Sequence, residues 1–244
     1  MKKLLIATAV FPIFLFGQSR FETDIFETSA GKLKISFVGH GTLMFECDNI
    51  IIHIDPVMRE TDYSTMPKAD LVMVTHHHGD HLDVSAIDHI KKDGTKIIMT
   101  ENSSKTLGNP DDILIMRNGD KTSFFNIDIE AVPAYNIVHK RTGGDVFHPK
   151  GEGNGYIFTI GDTRVYVAGD TENTPEMKVL KNINIAFLPM NLPYTMTPEM
   201  AADAARAFKP GVLYPYHYGN SDTGELIRLL KDEKEIEVRV LKKK

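Results

Sequence analysis

The sequence predicts one α/β or α+β domain, and three observations carry that prediction. Early segments alternate apolar and polar residues at the two-residue period of a half-buried strand. Later segments alternate short apolar runs with stretches of helical spacing. No linker, internal repeat or low-complexity tract separates them in the 244-residue chain, whose 42% hydrophobic content suffices for one substantial core.

The N-terminus is set aside first. Met1-Lys2-Lys3 is a basic start, Leu4 to Phe16 is an apolar run, and Gly17-Gln18-Ser19 supplies small residues at the −3 and −1 positions. This pattern is that of a secretory signal peptide, too short for a comfortable membrane span. Residues 1–19 are expected to be removed, leaving one domain over 20–244 in the periplasm or outside the cell, with no stable membrane span.

The elements then follow in order. Leu33, Ile35 and Phe37 alternate with polar neighbours over Lys32 to Val38, and Ile50, Ile52 and Ile54 do so before Asp55. Leu43, Phe45 and Cys47 share a strand face, and Asp48-Asn49 is a hairpin turn. Cys47 is the only cysteine, so it pairs with no other in the chain and reads as a small core residue. Asp83 caps a helix that turns Ala86, Ile87 and Ile90 inward. Thr197-Pro198-Glu199 opens a second helix, with Met200, Ala204, Ala207 and Phe208 as its buried stripe. A third, near Thr223 to Lys231, buries Leu226, Ile227 and Leu230. Between Asn136 and Asn154 lies the one long, polar, Gly-rich connection, and such loops more often bear function than scaffold.

Charge removes one class of partner. The formal charge of −5 becomes −7 once Lys2 and Lys3 are lost, and the only basic cluster is Lys242-Lys243-Lys244. Nucleic acid is therefore not expected.

The chemistry is concentrated after the apolar run Leu71-Val72-Met73-Val74, which suits a strand buried on both faces. The chain leaves it as Thr75-His76-His77-His78-Gly79-Asp80-His81. In a loop at the strand's C-terminal edge, His76 and His78 can converge on one ion while Asp80 and His81 face a second. Neutral imidazole and carboxylate suit Zn, Mn, Fe or Ni. Two further apolar runs end on polar residues of the same kind: Arg164 to Ala168 at Gly169-Asp170-Thr171, and Gly211 to Tyr216 at His217.

His-x-His-x-Asp-His, Gly-Asp-Thr and the last histidine, in that order, resemble the metallo-β-lactamase-fold hydrolases from about Lys32 to His217. Val38-Gly39-His40-Gly41-Thr42, Ile54-Asp55-Pro56, Val132-Pro133-Ala134-Tyr135-Asn136 and His217-Tyr218-Gly219 resemble the branch containing ascorbate-6-phosphate lactonase and N-acyl-phosphatidylethanolamine phospholipase D. The resemblance implies an αββα four-layer sandwich with metals at one edge. It implies His76, His78, Asp80, His81, Asp170 and His217 as ligands to one or two divalent ions, zinc first, with Asp170 as the bridge. Asp80 is also the implied catalytic group, orienting a water whose pKa the metal lowers to about 7.

Where some relatives place a third histidine for the first metal, this chain has Asn136. His148 is the preferred replacement and His139 the other. If neither binds, a single ion on Asp80, His81, Asp170 and His217 is the alternative. His40 and Asp55 read as partners that hold ligand imidazoles, and Tyr194 as a donor to substrate or oxyanion. Lys140 and Lys150 could meet an anionic substrate; His53, His77 and His89 read as packing or surface residues. The expected activity is hydrolysis of an ester, lactone, amide or phosphodiester in a small molecule or lipid. The alternatives are a phosphodiesterase specifically, or a non-catalytic metal- or ligand-binding protein that kept the fold. No oligomeric state follows from the sequence.

Overall fold

A computed structural model describes residues 20–108 and 113–241. The leader expected over residues 1–19 and the lysines 242–244 lie outside the described residues. The first half contains β1 (Glu22–Thr28), β2 (Gly31–Gly39), β3 (Thr42–Cys47), β4 (Ile50–Ile54), β5 (Leu71–Met73), α1 (Val84–Ile90), β6 (Lys96–Met99), α2 (Glu101–Leu107) and β7 (Ile113–Ile115). The second contains β8 (Lys121–Phe124), β9 (Ile127–Ala134), β10 (Gly153–Ile160), β11 (Thr163–Val167), α3 (Pro175–Lys178), β12 (Ile185–Pro189), α4 (Pro198–Phe208), β13 (Val212–Tyr216), α5 (Thr223–Leu230) and β14 (Glu237–Val238).

The strands form two seven-stranded sheets, one in the order β1 to β7 and the other β14 to β8. In each, four strands meander antiparallel and the remaining neighbours pair in parallel. The two halves thus share one topology, although the sequence carries no visible repeat.

Alternation on β2 and β3 turns Leu33, Ile35, Leu43 and Phe45 to one face, against Phe158, Phe187 and Tyr214 of the other sheet. Phe45 meets Phe158 and Phe187 edge to face, with centroids 5.1 and 5.8 Å apart. This seam holds the sheets together, since each fully buried aromatic contributes about 1.5–3 kcal/mol. Helix α1 covers the outer face of the first sheet, burying Ala86, Ile87 and Ile90 as its pattern predicts, with Asp83 accepting from the N–H groups of Ser85 and Ala86. The outer face of the second sheet packs against α4 and α5.

Two helical faces differ from the sequence reading. On α4 the buried side is Ala201, Ala202, Ala204, Ala205 and Phe208; Met200 is half-buried and Ala207 exposed. A run of alanines gives little hydrophobic contrast around the helix, so the apolar stripe could not be phased. On α5, Leu226 and Leu230 are buried but Ile227 is 46% exposed. The turn Asp48-Asn49 has φ of 47° and 65°, the left-handed pair that a tight hairpin requires. Cys47 is buried and free.

The parallel strands deliver their C-terminal ends to a common edge, where crevices of open α/β sheets form. Asp55 follows β4, Thr75 to His81 follow β5, Asp170 follows β11 and His217 follows β13. No helix among the described residues is long and apolar enough to cross a membrane.

Candidate metal centre

Asp55 is fully buried and organises the first half of the site. Its carboxylate accepts from the Thr75 N–H at 2.7 Å, the Thr75 hydroxyl at 2.6 Å and His81 Nδ1 at 2.7 Å. A carboxylate only accepts, so the His81 proton sits on Nδ1 and the Nε2 lone pair faces the other way. The Thr75 hydroxyl spends its hydrogen on Asp55 and must accept from His76 Nδ1, 3.0 Å away. That fixes His76 in the same tautomer.

His148 reaches it by another route. Its Nδ1 lies 2.7 Å from Asn136 Oδ1, while Asn136 Nδ2 donates to Glu172 Oε1 and to the Tyr194 carbonyl. The Nε2 atoms of His76, His81 and His148 are all buried and without a hydrogen-bond partner, as are Nε2 of His217 and Oδ1 of Asp170. Buried polar atoms are rarely orphaned, because leaving one unpaired costs about 1–3 kcal/mol.

The orphans converge. His76, His78 and His148 offer ligand atoms within 4.8 Å of one another; so do His76, His81 and Asp170, and so do His40, Asp80, His81 and His217. Asp170 lies between the groups, with Oδ2 3.3 Å from His148 Nε2 and Oδ1 3.5 Å from Nε2 of both His81 and His217. The donor set of imidazoles and carboxylates fits divalent transition metals.

Residues 34–217 match the model of the β-lactamase superfamily domain. A metal-dependent hydrolase of Thermococcus kodakarensis is 30% identical over 219 residues, covering 84% of this chain and 95% of its own length. The chain belongs to the metallo-β-lactamase superfamily. Among solved structures, a Parabacteroides distasonis protein assigned as a metal-dependent hydrolase is 51% identical with a TM-score of 0.84, over 90% of this chain and 98% of that one. Igni18, a metallo hydrolase from Ignicoccus hospitalis, is 25% identical with a TM-score of 0.69, over 85% of this chain and 94% of that one. The chain is a metal-dependent hydrolase of this superfamily, with the αββα arrangement of its relatives.

Glycines let this hydrolase's backbone press against the clustered side chains. A Cβ on Gly41 would lie 2.7 Å from His81 Cε1. Gly169 has φ +66°, and a Cβ there would lie 2.7 Å from the Asn154 carbonyl. Electrostatics suit metal binding. Burial, then the neighbouring histidines, drive His76 well below its ordinary value, and burial lowers His148 to about 4, so both are neutral near pH 7. Burial opposes the charge on Asp80, but the imidazoles of His217 and His40 hold its carboxyl well below the usual range. Burial also disfavours a proton on His81, yet Asp170, Asp55 and Asp80 raise it to about 9; a cation would take that proton's place.

The remaining sequence-predicted residues fall on both sides of the centre. His40 Nε2 is 3.2 Å from Asp80 Oδ2, and its ring lies against His217 with centroids 3.8 Å apart. Asn136 is buried and holds His148. His139 turns away, its Nδ1 2.7 Å from Glu172 Oε1. Tyr194 stands in the cavity wall, its ring edge-on to Phe147. Lys150 is engaged by Glu176 at 2.6 Å. The cations that line the cavity are instead Arg59 and Arg141. His53 is buried in the first half, within 3.2 Å of the Pro67 carbonyl.

Sequence reasoning missed Thr75, Gly41, Glu172 and the two arginines. Thr75 and Glu172 each adjoin a recognised motif, and that adjacency was the available signal. The arginines carry none.

A cavity of about 810 Å³ opens over the site, lined by Phe37, Tyr194 and Tyr218 as well as Asp80 and His217. A second, of about 460 Å³, reaches it past His76 and Ala134. Arg141, Phe147 and His148 line both.

Proposed function

We propose that this hydrolase cleaves an ester, lactone, amide or phosphodiester bond in a small molecule or lipid, using two divalent cations of which zinc is the first choice. The observation that carries the reading is the convergence of three buried, tautomer-fixed Nε2 atoms on Asp170. His76, His78 and His148 would hold one cation, Asp80, His81 and His217 the other, with Asp170 shared.

Cations held there supply Lewis acidity and bring the pKa of a water to about 7. Asp80 is ionised and one third exposed to the cavity, so it can accept a hydrogen bond from the attacking water and orient it. His40 keeps that carboxylate turned toward the site. Tyr194 offers a hydroxyl at the wall for a substrate oxygen. The aromatic lining beside Arg141 favours an amphiphile with an anionic group, Arg59 being paired with Glu60 at 3.1 Å, and a cavity of this size suits a ligand of about a few hundred daltons. Asn136, the best support for a non-catalytic reading, is accounted for by its hydrogen bond to His148. In line with the leader pattern, we place the protein in the periplasm or outside the cell.

The test is a panel of ester, lactone, amide and phosphodiester substrates, run on protein loaded with zinc or manganese. Turnover of one bond class, lost in His148→Ala and in Asp80→Asn, supports the proposal. A protein that holds two ions and is silent on every class would favour a binding role.

A further inference from the structure

Glu172 follows the Gly169-Asp170-Thr171 motif by one residue, and its side chain is fully buried. One oxygen accepts from the backbone N–H groups of Ile137 and Val138, at 2.7 and 2.6 Å. The other accepts from the His139 N–H and Nδ1, both at 2.7 Å, and from Asn136 Nδ2 at 3.1 Å. Three consecutive backbone donors and two side chains thus close on one carboxylate.

This arrangement has a directional consequence. Because Glu172 can only accept, Asn136 must turn its NH₂ toward it, and the Tyr194 carbonyl favours the same orientation. Asn136 Oδ1 then faces His148, taking the His148 backbone N–H at 3.0 Å and Nδ1–H at 2.7 Å. The His148 proton is thereby fixed on Nδ1 and its Nε2 lone pair aimed at the centre. The same carboxylate pins the start of the loop that carries Arg141 and Phe147 into both cavities.

We infer that Glu172 is a positioning residue: through Asn136 it sets the metal-binding tautomer of His148, and through the 137–139 backbone it fixes the wall of the substrate cavity. The inference rests on the two-cation reading above. Partners that fix a ligand imidazole in this way are commonly worth 10- to 100-fold in metal affinity.

The experiment compares wild type with Glu172→Gln and His139→Ala. Zinc stoichiometry is measured by elemental analysis, zinc affinity by chelator competition, and histidine tautomers by nitrogen-15 NMR. Glu172→Gln turns its NH₂ away from the two backbone N–H groups of Ile137 and Val138 and towards Asn136 and His139, whose side chains can reverse. It should weaken one of two zinc ions by 10- to 100-fold and move the His148 proton off Nδ1, leaving the second zinc and the His81 tautomer unchanged. A purely structural role would lower stability without this selectivity. His139→Ala, which leaves Glu172 its other donors, should keep both ions. If Glu172→Gln does not fold, Glu172→Asp decides by the same measurements, because it keeps the charge but draws the oxygens back from Asn136. Two zinc ions at wild-type affinity, with Nδ1–H of His148 retained, would overturn the assignment of Glu172 alone. A wild-type protein with one zinc, indifferent to His148→Ala, would remove the two-cation reading and this inference with it.

Discussion

Replacing Asp55 with asparagine changes one oxygen for an NH₂ group and should disable ligands on both sides of the centre. Asp55 accepts three hydrogen bonds, all at 2.6–2.7 Å, in a site with no exposure. If the new NH₂ faces Thr75 Oγ1 and His81, His81 must accept at Nδ1 and carry its proton on Nε2. The Thr75 hydroxyl, no longer able to donate to residue 55, donates to His76 and reverses that tautomer as well. If the amide turns the other way, its NH₂ meets the Thr75 N–H, leaving a buried donor unpaired at about 1–3 kcal/mol. A hydroxyl and an imidazole can reverse their hydrogens but a backbone N–H cannot, so the first orientation prevails and weakens metal binding by about 10- to 100-fold, or about 1.4 to 2.7 kcal/mol. Chelator competition gives the affinity and nitrogen-15 NMR the tautomers. An Asp55→Asn protein with wild-type zinc affinity and His81 still protonated on Nδ1 would refute the tautomer argument.

Two further outcomes are expected. Gly41→Ala places a methyl 2.7 Å from a His81 ring that Asp55 holds immobile, so thermal denaturation should show a loss of about 1–3 kcal/mol and elemental analysis a weakened ion; an unchanged Tm and metal count would contradict the packing. His53, away from the candidate centre, is lowered to about 4 by burial and folds neutral. The unfolded chain takes up that proton below about pH 6.5, so this residue's contribution is complete above 6.5 and falls as pH drops towards 4, by about 3 kcal/mol at most. Urea titrations at pH 7.5 and 5 should show a shallower loss in His53→Gln; equal losses would show that His53 is not buried neutral.

Most of the candidate site was legible because its residues stand where an apolar run stops. A strand buried on both faces has a distinctive composition, and the first polar residue after it lies at the sheet's edge, as at Thr75, Asp170 and His217. The choice among His148, His139 and Asn136 was legible only as a preference for His148. It depends on how the 136–152 connection closes, and that is set by Glu172 from a different strand end. Strand β1 escaped notice because it is a half-exposed edge strand with only Ile25 and Phe26 as large apolar residues. Its place is fixed by a distant contact, Asp24 with Tyr214 and Arg239 at 2.6 Å, and local sequence does not encode such a contact. Arg59 and Arg141 were invisible for a related reason: a surface arginine and a cavity arginine look alike until the fold sets them beside the site.

Two cations sharing Asp170, one of them held by His148, would set the metal content of the chain. Elemental analysis of the purified protein, beside His148→Ala and His139→Ala, reads that content. Two metal ions per chain are expected, falling towards one in His148→Ala and unchanged in His139→Ala. One ion per chain, indifferent to both substitutions, would contradict it.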